Sequence, residues 1–124
     1  MEEHKKDKIV IFVTHGSENP EKSSIAFVMA NAAVAMESEV TVVLQSNGVL
    51  IAKKGCYEHI FAAGFDSLKK LVDTFVELGG KIIVCMPCLE ERQITKEMLI
   101  DEAKPAKAGR VINECLEAKA VLNY

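Results

Sequence analysis

Cys85-Met86-Pro87-Cys88 places two thiols at C-x-x-C spacing. Pro87 has no N–H to give a ladder, so a strand feeding it is expected to end at or just before it. Leu89-Glu90-Glu91-Arg92 then reads as an opening helical turn. A thiol near a helix N-terminus meets free backbone N–H groups and the positive end of the helix dipole, which favour thiolate, and Arg92 adds a cation nearby. Thiolate is the form that attacks sulfane sulfur or a disulfide. Nearness to that helix start points to Cys88 ahead of Cys85. The same spacing also serves dithiol–disulfide exchange, although a thioredoxin-like motif follows an early strand and this pair follows the third. Two unreactive cysteines packed as small hydrophobes are the remaining reading. A structural zinc site commonly uses two C-x-x-C pairs, and here the companion is only a loose C-x-x-H, Cys56-Tyr57-Glu58-His59, so no metal is expected.

Thr14-His15-Gly16-Ser17, ahead of Asn19-Pro20, offers N–H groups and an imidazole to an anion or a proton. It is no P-loop, lacking the Gly-Lys-Ser/Thr ending. Lys53-Lys54 reads as a solvated end, and Cys115 as a core residue on a helical apolar stripe.

These residues need elements to position them. Ile9–Val13, Val40–Leu44 and Ile82–Met86 are continuous apolar runs, as strands covered on both faces would be, and Ala120–Tyr124 is a weaker candidate for an edge strand. Between them the apolar period becomes helical: Ile25, Val28, Met29, Ala32, Ala33 and Met36; then Leu68, Leu71, Val72, Phe75 and Val76; then Ala108, Val111, Ile112, Cys115 and Leu116. Each stripe is expected to pack on the sheet. Asn19 before Pro20 is an N-cap with the favoured proline position, and Gly79-Gly80 closes the second helix. Thr95 with Met98-Leu99 predicts a short helix, and Asp101–Pro105 a connection or short strand. The alternation predicts one α/β domain over residues 1–124, a three-layer α/β/α arrangement around a mainly parallel sheet. Ligands of such sheets sit beyond the carboxyl ends of the strands. Those ends carry Thr14–Asn19, Gln45-Ser46-Asn47-Gly48 and the cysteine pair.

The chain has 124 residues, 49% of them apolar, enough for a core and against disorder of the whole chain. A net charge of −3 argues against a dedicated nucleic-acid binder. No apolar run reaches the length of a membrane span, about 18 residues. Two acids followed by a short apolar run at the N-terminus argue against a secretory leader, so a cytoplasmic location is expected.

Thr14–Pro20, Gln45-Ser46-Asn47-Gly48-Val49-Leu50, and Gly79-Gly80-Lys81 leading to Cys85–Arg92 together resemble the DsrE/DsrF-like family over nearly the whole chain. The resemblance implies a five-stranded parallel sheet and homo- or hetero-oligomers. It also implies cytoplasmic sulfur-relay or sulfur-oxidation proteins that hold sulfur as a cysteine persulfide or a cysteine-bound thiosulfate. In the family the cysteine closing the third strand, upstream of an arginine, is the usual carrier. That position is Cys85, and Cys88 matches a second cysteine of some branches. Gln93 departs from the glycine that often follows the arginine. The expected activity is a sulfurtransferase-type carrier with Cys85 as acceptor and Cys88 resolving the adduct. His15, Gly16, Asn47 and Arg92 would hold the cargo, with no cofactor. Sulfur donor and acceptor proteins or small sulfane-sulfur compounds are the expected partners, in a homo-oligomer (dimer, trimer or hexamer). The competing expectations are an oligomeric scaffold with structural cysteines and a C-x-x-C oxidoreductase.

Overall fold

The computed structural model describes residues 5–124, so the first four residues of the charged N-terminal segment lie outside it. The predicted apolar runs become β1 (Lys8–Val13), β2 (Glu39–Leu44) and β3 (Lys81–Cys85). β4 (Ala103–Ala106) and β5 (Ala120–Asn123) complete a five-stranded sheet in the order β4-β3-β2-β1-β5, parallel throughout. Asp101–Pro105 thus resolves as a turn leading into the edge strand β4. The helices are α1 (Pro20–Ala35), α2 (Leu68–Glu77), α3 (Met86–Glu91) and α4 (Ala108–Glu117), and 3-10 turns occupy Ser46–Ala52, Tyr57–His59 and Lys96–Met98.

From β1 to β4 the chain steps one way across the sheet, and α4 carries it back to the far edge. Right-handed crossovers then place α1, α2 and α3 on one face and α4 on the other. Side chains alternate between faces along each strand. Ile11, Val13, Val42, Leu44, Ile82 and Val84 join the large core under α1 and α2, where Phe27 and Phe75 meet edge to face at 5.7 Å. Val10, Val43 and Ile83 join Val111 of α4 in a smaller core.

Two helices are turned away from their predicted faces. On α1 the buried residues are Ser23, Ser24, Ala26, Phe27 and Ala30, whereas Val28, Met29 and Met36 are exposed. That helix is apolar nearly all round, so its pattern does not select a face, and small side chains are what allow close approach to the sheet. On α4, Val111 packs inward while Ile112 and Leu116 are exposed. The helix is turned by a charged residue: Glu114, buried, accepts a hydrogen bond from Thr41 of β2 (2.9 Å) and pairs with buried Lys8 of β1 (3.1 Å). A buried charge must be paired, so this contact sets the rotation of α4, and Cys115 is left half-buried against the smaller core.

The caps follow the sequence. Asn19 Oδ1 accepts from the Lys22 N–H (3.2 Å), and Gly79 closes α2 at φ +92°. The register then fixes the site. Val13 lies beside Leu44, and Leu44 beside Val84, so the three segments that follow β1, β2 and β3 leave the sheet along one edge.

Candidate functional site

α3 begins at Met86, earlier than the expected start near Leu89. Pro87 in its first turn lacks only an N–H that would have no helical partner there, and its fixed φ suits the turn. Cys85 is therefore both the end of β3 and the residue capping α3, and Cys88 lies inside the first turn. The argument from nearness to the helix start, which pointed to Cys88, reverses in favour of Cys85.

Both thiols are half-buried and free. They lie close enough to influence each other's ionisation. Burial pushes the Cys85 thiol above its ordinary value, and the neighbouring Cys88 thiol pushes the same way. The Cys88 N–H and the Arg92 charge pull it down without overcoming them. The thiolate-favouring influences expected at this helix end are present, but for Cys85 desolvation outweighs them.

Both cysteines pack against the large core, and each has a further neighbourhood of its own. Cys88 Sγ accepts the backbone N–H of Ser46 at 3.3 Å, from a residue with φ +52° just after β2. Cys85, two residues after Ile83 in β3, also lines a cleft of about 220 Å³ between the sheet edge and α4. Phe12, Ala106 and Val111 line the cleft with Pro87 and Ile112, and Gln45 is its polar residue. A larger, more open hollow of about 600 Å³ lies at the opposite end of the strands, between Lys5, Lys6, Glu39 and Lys119. It is a charged, solvated basin without a nucleophile.

Arg92 is committed as a strut. Its Nη1 donates to the Cys88 carbonyl (3.2 Å) and its Nη2 to Asn47 Oδ1 (3.0 Å), tying the end of α3 to the segment after β2. Gly16 lets the first loop touch the second: a Cβ on Gly16 would lie 2.3 Å from the Asn47 carbonyl oxygen, and one on Gly48 would lie 2.0 Å from that of Val13. His15 Nδ1 lies 2.7 Å from Glu18 Oε2, and the other Glu18 oxygen accepts the Gly16 N–H at 2.6 Å. Burial acts to raise the Glu18 carboxyl, but the Gly16 N–H and His15 hold it below its ordinary value. The Ser23 hydroxyl lies 2.9 Å from the carbonyls of both His15 and Gly16. Gly16, Asn47, Arg92 and Cys88 are thus joined through direct contacts, and His15 belongs to the adjoining loop.

The sequence reading missed Glu18 and Ser23 as the groups that shape the His15 loop. It also missed Ser46 as a donor to sulfur, and the cleft beside Cys85. Strand alternation carried a signal for the cleft, since Phe12 shares the parity of Val10. Cys56 and His59 sit at a separate 3-10 turn, where burial raises the Cys56 thiol. Among the described residues, no group of three His, Cys, Asp or Glu side chains is placed to hold a metal ion.

Comparison with known proteins places this arrangement. The chain is 32% identical over 107 residues to the uncharacterized protein MJ0760 of Methanocaldococcus jannaschii, covering 86% of this chain but only 39% of that protein. It is 28% identical over 117 residues to MJ0989 of the same organism, covering 94% of this chain and 99% of that one. Among solved structures, the fold is similar to the ychN protein of E. coli, with a TM-score of 0.80 at 16% identity over 97% of this chain and 100% of that one. It is also similar to MTH1491 of Methanobacterium thermoautotrophicum, a protein of unknown function, with a TM-score of 0.70 at 14% identity over 96% of this chain and 100% of that one. The model of the DsrE/DsrF-like family matches residues 7–124, nearly the whole length, and the chain belongs to that family.

Proposed function

We propose that this protein is a sulfur carrier that takes sulfane sulfur onto Cys85. The observation that carries the reading is the placement of Cys85 at the carboxyl end of β3, bordering a cleft, with a second free thiol in the first turn of the helix that follows. Family and fold support a sulfur-relay role. In the loading step the Cys85 thiolate attacks the outer sulfur of a persulfide, R–S–SH. The donor S–S bond breaks, the departing RS⁻ keeps its electron pair, and Cys85–S–SH results. Cys88 is then in place to attack the inner sulfur, giving the internal disulfide and releasing hydrogen sulfide. Asn47 and Arg92 hold the two loops in register around this pair, and His15 lies on the loop that follows β1 at the same edge of the sheet.

The donors and acceptors are sulfur-handling proteins or small sulfane-sulfur compounds, met in the cytoplasm. Exposed Val28, Met29 and Met36 on α1 suit a homo-oligomer. No helix among the described residues is long and apolar enough to cross a membrane. Intact-mass spectrometry after incubation with polysulfide, thiosulfate or tetrathionate tests the reading: Cys88→Ser gains sulfur, wild type gains sulfur or resolves to the internal disulfide, and Cys85→Ser does not load. Absence of any adduct on Cys88→Ser, while a control protein loads, removes it. Two free, half-buried thiols at C-x-x-C spacing favour dithiol–disulfide exchange as a second reading, and activity in an insulin-reduction assay without sulfur loading would select it.

A further inference from the structure

The cleft beside Cys85 has a chemical character that bears on what it accepts. Its wall is aromatic and aliphatic (Phe12, Ala106, Val111, Ile112), with Gln45 as its polar residue and no charged side chain lining it among the described residues. Arg92 does not line it, and its guanidinium is held by Asn47 Oδ1 and the Cys88 carbonyl. An ionised group entering such a space loses hydration without gaining a partner. The volume, about 220 Å³, exceeds the roughly 150 Å³ cavity that accommodates benzene.

We propose that this cleft is a binding site for the uncharged, apolar organic group of a thiol-derived sulfur donor, up to about the size of an aromatic ring. The inference rests on the reading of Cys85 as the sulfur acceptor and names the class of its substrate. The group R of R–S–SH lies against Phe12 and Val111, which brings the outer sulfur to Cys85. Attack breaks the donor S–S bond, and the pair of electrons leaves with RS⁻, which takes up a proton as it departs as RSH. A donor whose R carries carboxylates is disfavoured in this cleft because no charged side chain lines it to replace the hydration the carboxylates lose.

The test compares two aromatic disulfides of like reactivity and opposite solvation, a neutral dipyridyl disulfide and the dianionic dithiobis(nitrobenzoate). Each is reacted briefly with the full chain at high salt, which screens the overall negative charge of the protein, and peptide mapping reads the labelling of Cys85. The neutral-to-dianionic rate ratio at Cys85 is expected to be about tenfold higher in the folded protein than in the urea-unfolded chain. Ile112→Lys, at a position 57% exposed and so tolerant of charge, places a cation at the rim and is expected to lower that ratio severalfold. A folded ratio equal to the unfolded one, or one unmoved by Ile112→Lys, overturns the proposal. Loading from inorganic polysulfide is measured alongside, because it needs no organic group. An unchanged ratio with intact loading sinks the cleft proposal alone, whereas failure to load sinks the carrier reading on which it rests.

Discussion

Gln93 occupies a backbone position that suits a glycine, and replacing it should stabilise the protein. It follows Arg92 at the end of α3 and sits at φ +55°. Its N–H donates to the Glu90 carbonyl (3.1 Å), and the Ile94 N–H to that of Leu89 (3.0 Å), the paired bonds of a Schellman closure. Leu89 and Ile94, both buried, supply the apolar contact that accompanies this closure. A left-handed residue is required there, and an L side chain costs roughly 1–2 kcal/mol in that conformation. Glycine removes that cost but gives up about 0.5–1 kcal/mol through its freer unfolded chain. Gln93 is exposed, so little packing is lost with its side chain. The net gain for Gln93→Gly is then about 0.5–1 kcal/mol, or about 2–6 °C in Tm for a chain of this size. Urea unfolding followed by circular dichroism measures it, with Gln93→Ala as a control expected within about 0.5 kcal/mol of wild type. The labelling rate of Cys85 should not move, because the closure lies at the far end of α3 from it. If Gln93→Gly is no more stable than Gln93→Ala, the backbone strain ascribed to this turn is absent and the reasoning fails.

Other outcomes follow from the contacts around the site. Gly48→Ala should destabilise by about 2 kcal/mol or more, because its Cβ would stand 2.0 Å from the Val13 carbonyl oxygen with only backbone to yield; a denaturation midpoint within error of wild type would contradict this. Alkylation of Cys85 in the Cys88→Ser background should still be rising with pH at and above 9.0, the ordinary thiol value, since burial holds the thiol up; a plateau reached well below that pH would oppose it. Glu114→Gln should cost about 2 kcal/mol by leaving Lys8 buried with only Glu117 to pair it. Burial acts to raise the Glu114 carboxyl, but Thr41 and Lys8 hold it below its ordinary 4.5. Its contribution is therefore fully present above pH 4.5 and is lost as pH falls through the lower folded value, so the variant's acid limb in a pH–stability curve should be flatter than that of wild type. For Lys8 the sign is opposite. Burial lowers it, but Glu117 and Glu114 raise it above 10.5, so its contribution is present below pH 10.5 and is lost as pH rises through the higher folded value.

The elements that could be read from the sequence were those whose local chemistry and tertiary environment agree. The runs of β1, β2 and β3 are apolar because both of their faces are covered, and the stripe Leu68, Leu71, Val72 and Phe75 is the face α2 buries. Asn19 and Gly79 act through bonds within a few residues of themselves, which sequence order displays directly. The faces of α1 and α4 were not legible because their determinants are remote. Ser23 is buried where it can meet the carbonyls of the His15 loop, and Glu114 where it can meet Lys8 of β1 and Thr41 of β2. A serine or glutamate in a helix reads as solvent-facing until its partner is known.

The same distinction separates the two cysteines. Their spacing was visible, but not that the helix begins between them, which assigns each sulfur to a different neighbour. Strand parity turns Cys85 toward the α4 side, where α4 covers only part of the sheet and leaves a cleft at its edge. The first turn of α3 places Cys88 under the Ser46 N–H. A sulfur entering from the apolar side thus meets Cys85 first. Cys88, in the first turn of the helix that Cys85 caps, is the second nucleophile available from within the chain. This ordering of acceptor and resolver follows from the rotation of α4, and so from a charged pair at the opposite end of the sheet. A variant that frees α4, such as Glu114→Gln, should therefore narrow the difference in labelling rate between neutral and dianionic probes at Cys85 while leaving the access of Cys88 to the Ser46 side unchanged. Equal effects on both thiols would show that the two sulfurs share one environment and that the proposed order of attack does not hold.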